Sequence, residues 1–207
     1  TTTQVTQLTE TQLASFTATQ AKGLTSTGIA VLSTTQVAAM TATQLAALTA
    51  TQAKGLVDTQ VAELTATQLA GLTSTAIGAL TTTQVSQIPV TQLSALSVTQ
   101  VKGLTSSAIA VLADTQMAAF SATQIAALTT TQVKGLTSTE LGGLAMTQVA
   151  ALASTQLQAL TTTAIVGLDG TQLASLTTTQ MQGLTSTDIG VVLDLMIHDL
   201  EVILHLV

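Results

Sequence analysis

The chain has 207 residues, enough for a substantial core, yet only 7% are charged, the net charge is −6, and Arg, Cys, Trp and Tyr are absent. That composition excludes a disulfide or thiolate-metal framework. With four lysines against ten acids it also excludes a basic surface able to neutralise phosphates, so no nucleic-acid partner is expected. Catalysis needs acids, bases, nucleophiles or metals at fixed positions. Residues 1 to 192 offer almost none, and the two histidines, His198 and His205, lie beyond them.

From Thr1 the chain runs in blocks of eight, twenty-four consecutive copies without insertion or deletion, ending at Val192. Octad 6, Thr41-Ala42-Thr43-Gln44-Leu45-Ala46-Ala47-Leu48, is representative. Position three is Thr in every copy except Ser107, position five is apolar, and position eight is Leu, Phe, Met, Ile or Val. Position four is Gln or Glu in nineteen copies and position one is Thr, Ser or Asp in nineteen, while positions six and seven are mostly Ala, Gly, Ser or Lys.

Thr, Ser or Asp at position one with Gln or Glu three residues later is the capping-box pattern, and fourteen octads carry both halves. The Leu that closes the preceding octad and the apolar residue at position five form a hydrophobic staple. Each octad therefore predicts a helix start, and the next cap ends that helix after roughly 9–10 Å. Such a helix is too short to stand alone. The apolar pair at five and eight gives it a narrow buried stripe, and small residues at six and seven let neighbours approach. The predicted fold is an all-α solenoid of about 24 very short capped helices over residues 1–192.

A β-solenoid with 24-residue coils is the alternative, since Thr and Val favour strands and stacked Thr or Gln ladders suit identical coils. Against it, positions five and eight are an odd number apart, so a straight strand cannot turn both inward. The Ala-rich second half of the octad also favours helix. The near-invariant Thr at position three is not needed by a simple capping box. Its hydroxyl could bond to a carbonyl of the preceding helix, it could itself be the cap, or it could form a β ladder.

Octads that break the Gln rule begin at Thr25, Thr73, Thr105, Thr137, Thr161 and Thr185, with Gly28, Ala76, Ala108, Glu140, Ala164 and Asp188 at position four or, at Thr137, a Glu in place of Gln. The Lys-Gly-Leu octads, at Lys22, Lys54, Lys102 and Lys134, tend to precede them. If octad 7, with its unusual Ala53, takes part, the spacing runs three, three, four, four, three, three. A period of about three and a third octads predicts short helices wound into a superhelix.

Residues 193–207 leave the octad pattern and predict one longer amphipathic helix, a cap or an interface. Asp194, His198, Glu201 and His205, spaced four, three and four, would share its polar face. A solvated face is expected there and not a metal site. No catalytic, cofactor-binding or metal residue is assigned anywhere. No run of eighteen apolar residues exists, so no membrane-spanning helix is expected. The start at Thr1 has no Met, charged n-region or apolar h-region, and is expected to be an internal cut.

The octads Thr41–Leu48 and Thr129-Thr130-Thr131-Gln132-Val133-Lys134-Gly135-Leu136 resemble the octapeptide tracts of very large exported bacterial proteins of the adhesin-like or surface class. The resemblance covers residues 1 to 192. It implies a structural, non-enzymatic repeat protein at a cell surface or outside the cell, an extended scaffold or filament-forming element. Its expected partners are other copies or neighbouring domains of a larger chain, with no small-molecule ligand. The alternative function is binding of a periodic target, ice or a glycan, through regularly spaced Thr hydroxyls.

Overall fold

The structure, a computed structural model, describes residues 1–194. Octads 1 to 23 each contribute one helix of four to six residues, numbered here as its octad, from α1 (Thr2–Thr6) to α23 (Thr178–Met181). Residues 186–194 are again helical. No strand occurs among the described residues, so the β-solenoid alternative is overturned.

The local cause is visible in octad 6. Thr41 is extended, at φ −76° and ψ 157°, which breaks the preceding helix and turns its hydroxyl towards the next. That hydroxyl accepts from Gln44 N at 3.2 Å, while Gln44 Oε1 accepts from Thr41 N at 2.7 Å, completing the box. The helix α6 (Ala42–Ala46) then tightens at its end, with Ala47 N donating to Gln44 O and Leu48 N to Leu45 O, both at 3.1 Å. Extended backbone follows at once at the next cap, Thr49, so no left-handed residue is needed.

Five caps have no side-chain oxygen to offer, and in four of them half of the box survives. Val57, Ala113, Ala145 and Ala153 still donate their backbone N–H to Gln60, Gln116, Gln148 and Gln156 Oε1 at 2.6–2.8 Å. Pro89 has no N–H to give, so Gln92 Oε1 takes the Thr91 hydroxyl at 2.6 Å instead. Ala153 is exposed and already extended, at φ −74° and ψ 154°. Ala153→Thr is therefore expected to raise stability by about 1 kcal/mol, read as a higher urea midpoint at unchanged m-value; an unmoved midpoint would show that the hydroxyl half of the box contributes nothing.

Positions five and eight are buried as the staple predicts, for example Leu45 and Leu48, Leu69 and Leu72, or Leu157 and Leu160. The buried stripe is wider than predicted, because position four joins it: Gln44, Gln60 and Gln84 are each at most 2% exposed. Position six mostly faces water, and Lys22, Lys54, Lys102 and Lys134 are all exposed there. Close approach is left to position seven.

The chain forms two compact units, Thr1–Leu112 and Ala113–Val207. In the first, each helix packs on the one three octads further on: α6 on α9 (Ala66–Gly71), α7 (Ala50–Lys54) on α10 (Ser74–Ala79), and α10 on α13 (Val98–Gly103). The second repeats the rule, with α15 (Asp114–Ala118) on α18 (Ser138–Gly142) and α18 on α21 (Thr162–Ile165). The side-chain hydrogen bonds that join different octads run instead, in both units, to the octad four earlier. Neighbours at both three and four octads mean between three and four octads per turn, as the rhythm of the Gln-less octads predicts.

Close glycine contacts join octads three apart. A Cβ added to Gly55 would lie 2.7 Å from Ser26 O, and one on Gly71 would lie 2.6 Å from Ala42 O. Gly103 presses on Ser74, Gly167 on Ser138 and Gly183 on Ser154 in the same way, position seven of one octad against position two of the octad three before it. The Thr-Ser-Thr octads at 25, 73 and 137 thus supply the backbone floor on which a later glycine rests.

Candidate functional site

Position four carries the interaction that joins successive turns. Gln44 Nε2 donates to Leu13 O at 2.8 Å, Ala14 O at 3.3 Å and Phe16 O at 2.6 Å. Gln68 Nε2 does the same to Val37 O, Ala38 O and Met40 O at 3.1, 3.0 and 2.8 Å. In the second unit Gln156 reaches Ile125 O and Leu128 O at 3.1 and 2.7 Å, and Gln180 reaches Val149 O and Leu152 O at 3.1 and 2.8 Å. The acceptors are carbonyls at the end of a short helix; the position-five carbonyl, such as Leu13 O, also accepts from the N–H that closes its own octad, Phe16 N at 3.1 Å, and the amide adds a second donor there. One amide therefore caps its own helix start with Oε1 and an earlier helix end with Nε2.

Sequence reasoning assigned only the first of these roles. The signal for the second was present: a capping box works with Glu as well as Gln, yet eighteen octads use Gln and only octad 18 uses Glu. A preference of that size points to a task for the N–H₂ group.

Position three is the opposite case. All twenty-four residues there, from Thr3 to Thr187, are exposed. The cap is position one, so position three is not the cap, and no ladder exists. The hydrogen bonds its hydroxyls make stay within the octad: Thr27 with Thr25 at 3.1 Å, Thr35 with Ser33 at 2.9 Å, Thr163 with Thr161 at 3.0 Å, and Thr91 to Gln92. Among the described residues none reaches a carbonyl of the preceding helix. Position two, by contrast, varies among Thr, Ser, Ala, Asp, Glu, Val, Met and Gly. Thr43→Val with Thr67→Val is accordingly expected to change stability by less than about 0.5 kcal/mol per site; a loss above about 1 kcal/mol per site in urea melts would assign those hydroxyls to the fold.

A depression of about 480 Å³ lined by Thr6, Leu8, Thr9, Glu10, Thr11, Ser33 and Gln36 has Glu10 as its one ionisable side chain. Among the described residues no three His, Cys, Asp or Glu side chains stand close enough to share a metal ion, and no helix is long and apolar enough to cross a membrane. Asp194 is exposed in the helical segment 186–194; His198, Glu201 and His205 lie outside the described residues.

Residues 149–186 match the ALTTAQ repeat. The ALTTAQ tract is 38 of the 207 residues, and it contains Gln156, Gln172 and Gln180 with their bonds to the preceding turn. It identifies this part of the chain as a repeat tract and carries no link to exported adhesin-like proteins. No curated protein and no solved structure matches the chain.

Proposed function

We propose that the chain is a non-catalytic structural element, an extended scaffold whose partners are other copies of itself or adjoining domains of a longer protein. The observation that carries this reading is the use of glutamine: the array's own polar groups close on one another from octad to octad, and the repeat adds length without adding a site. Placement at a bacterial surface or outside the cell rests on the resemblance of the octads to surface-protein tracts. Inserting three or six further copies of octad 6 after Leu48 tests the scaffold. The maximum dimension from small-angle scattering should rise in equal steps, and a dimension that grows only as the cube root of mass would reject an extended element. Sedimentation over a range of concentrations separates self-association from a monomeric spacer.

A second reading is supported by the exposed position-three hydroxyls. A hydroxyl retained in every octad and little used by the fold suits recognition of a periodic target such as ice or a glycan. Thermal hysteresis and glycan-array binding test it, and both should disappear in a chain with Thr→Val throughout one unit if the rows bind.

A further inference from the structure

Octad 18 differs from all others in carrying Glu at position four, and the structure gives that exchange a consequence. Glu140 is 2% exposed. Its Oε2 performs the capping half of the glutamine role, accepting from Thr137 N at 2.7 Å and from the Thr137 hydroxyl at 2.9 Å. Its Oε1 stands for the amide nitrogen of the other octads, and it is buried without any hydrogen-bond partner. An ionised carboxylate can only accept, and nothing is offered to this oxygen. A neutral acid carries a proton there and can donate, as Nε2 does elsewhere.

We propose that octad 18 is an acid-stabilised element of the array: Glu140, its Oε1 buried without a partner, is held there as a neutral carboxylic acid and loosens the octad on ionisation. The surroundings agree. On α15, Asp114 adds a like charge, and α21 carries no titratable group. The helix α22 (Gly170–Ala174) packs on octad 18 through Gln172 Nε2, bonded to Gly142 O and Leu144 O at 3.1 and 2.8 Å; its cap Asp169 is turned to Gln172 N at 2.7 Å. No cation from these elements is positioned to compensate a carboxylate. Desolvation first, and then Asp114, push the Glu140 carboxyl above its ordinary 4.5, against the lowering effect of its bonds to Thr137.

The sign follows from linkage. A carboxyl whose folded value is raised contributes stability that is fully present below 4.5 and is lost as pH climbs through the folded value. Because a repeat array responds to its nearest neighbours, the loss is confined to octad 18 and the helices on it.

The test is backbone hydrogen exchange of the full chain at steps between about pH 4 and pH 8, comparing wild type with Glu140→Gln, which restores the usual amide. The wild-type to variant ratio of exchange for amides 137–144 should be near one at the acid end. It should then rise by up to about tenfold per pH unit through the window before levelling off. Amides 73–80 of octad 10 should show a ratio of one throughout. Gln156→Glu should transplant the same dependence to octad 20. A ratio for 137–144 that stays flat across the range, or a Gln156→Glu to wild-type ratio that stays flat at 153–160, overturns the proposal.

Discussion

Gln68→Glu is expected to destabilise the first unit by about 3–5 kcal/mol at neutral pH, although the two residues serve equally well in a capping box. The exchange keeps the half of the interaction in which a side-chain oxygen accepts from Thr65 N, at 3.0 Å. It removes the donor that faces Val37 O, Ala38 O and Met40 O, and puts a carboxylate oxygen against those carbonyls. Ala38 O and Met40 O lose this donor, Val37 O keeps only the Met40 N–H at 3.0 Å, and a charge is buried with no counterion. Each unsatisfied polar group costs about 1–3 kcal/mol, and the charge adds to it. Urea melts of the whole chain at two pH values measure the effect: the loss should shrink in acid, where the neutral carboxyl can donate. A change below about 0.5 kcal/mol at neutral pH would mean that Gln68 acts on its own helix only.

Gly103→Ala is expected to cost about 1–3 kcal/mol, against the roughly 1 kcal/mol that Ala gains over Gly in a helix interior. The new methyl would overlap Ser74 O and lie 2.9 Å from its carbonyl carbon and 3.0 Å from its Cα. These are backbone atoms of a packed helix, so no rotamer change relieves the overlap, and α10 and α13 must separate. Gly170→Ala is the control, because a Cβ there meets nothing within 4 Å. It should stabilise by about 0.5–1 kcal/mol through propensity and the unfolded chain. Opposite signs in thermal or urea unfolding support the packing argument. Equal signs would place the energetics in propensity alone.

Much of the fold was legible because the octad states it twenty-four times. The cap at Thr41, the partner at Gln44 and the apolar pair Leu45 and Leu48 each follow from spacing and side-chain chemistry, and the structure places them as predicted. The superhelical period was legible too, from octads whose position four departs from Gln. Two things were hidden, for different reasons. The second bond of Gln44 joins residues about thirty positions apart, and no local pattern reports which carbonyls lie over its amide. The exposure of Thr43 was hidden because invariance within a repeat reads as structural constraint, whereas here it marks an outward position that the fold uses little. Glu140 is an exception of another kind: its departure from Gln was plain, but its meaning needed the burial of Oε1.

The two ways in which turns are joined obey different symmetries. The glutamine bond is anonymous: any octad with Gln at position four can serve any octad four places earlier, so removing one whole copy leaves the remaining bonds able to re-form with new partners. The glycine contacts are addressed. Gly71 lies over Ala42, Gly103 over Ser74, and Gly167 over Ser138, each pair separated by three octads. Excising a single octad between the members of such a pair would bring the glycine over a different residue and leave its former floor facing a larger side chain. Deletions and duplications within this chain are therefore neutral to the shared bond but not to the phase, and the glycines record which copies have kept their place in the coil.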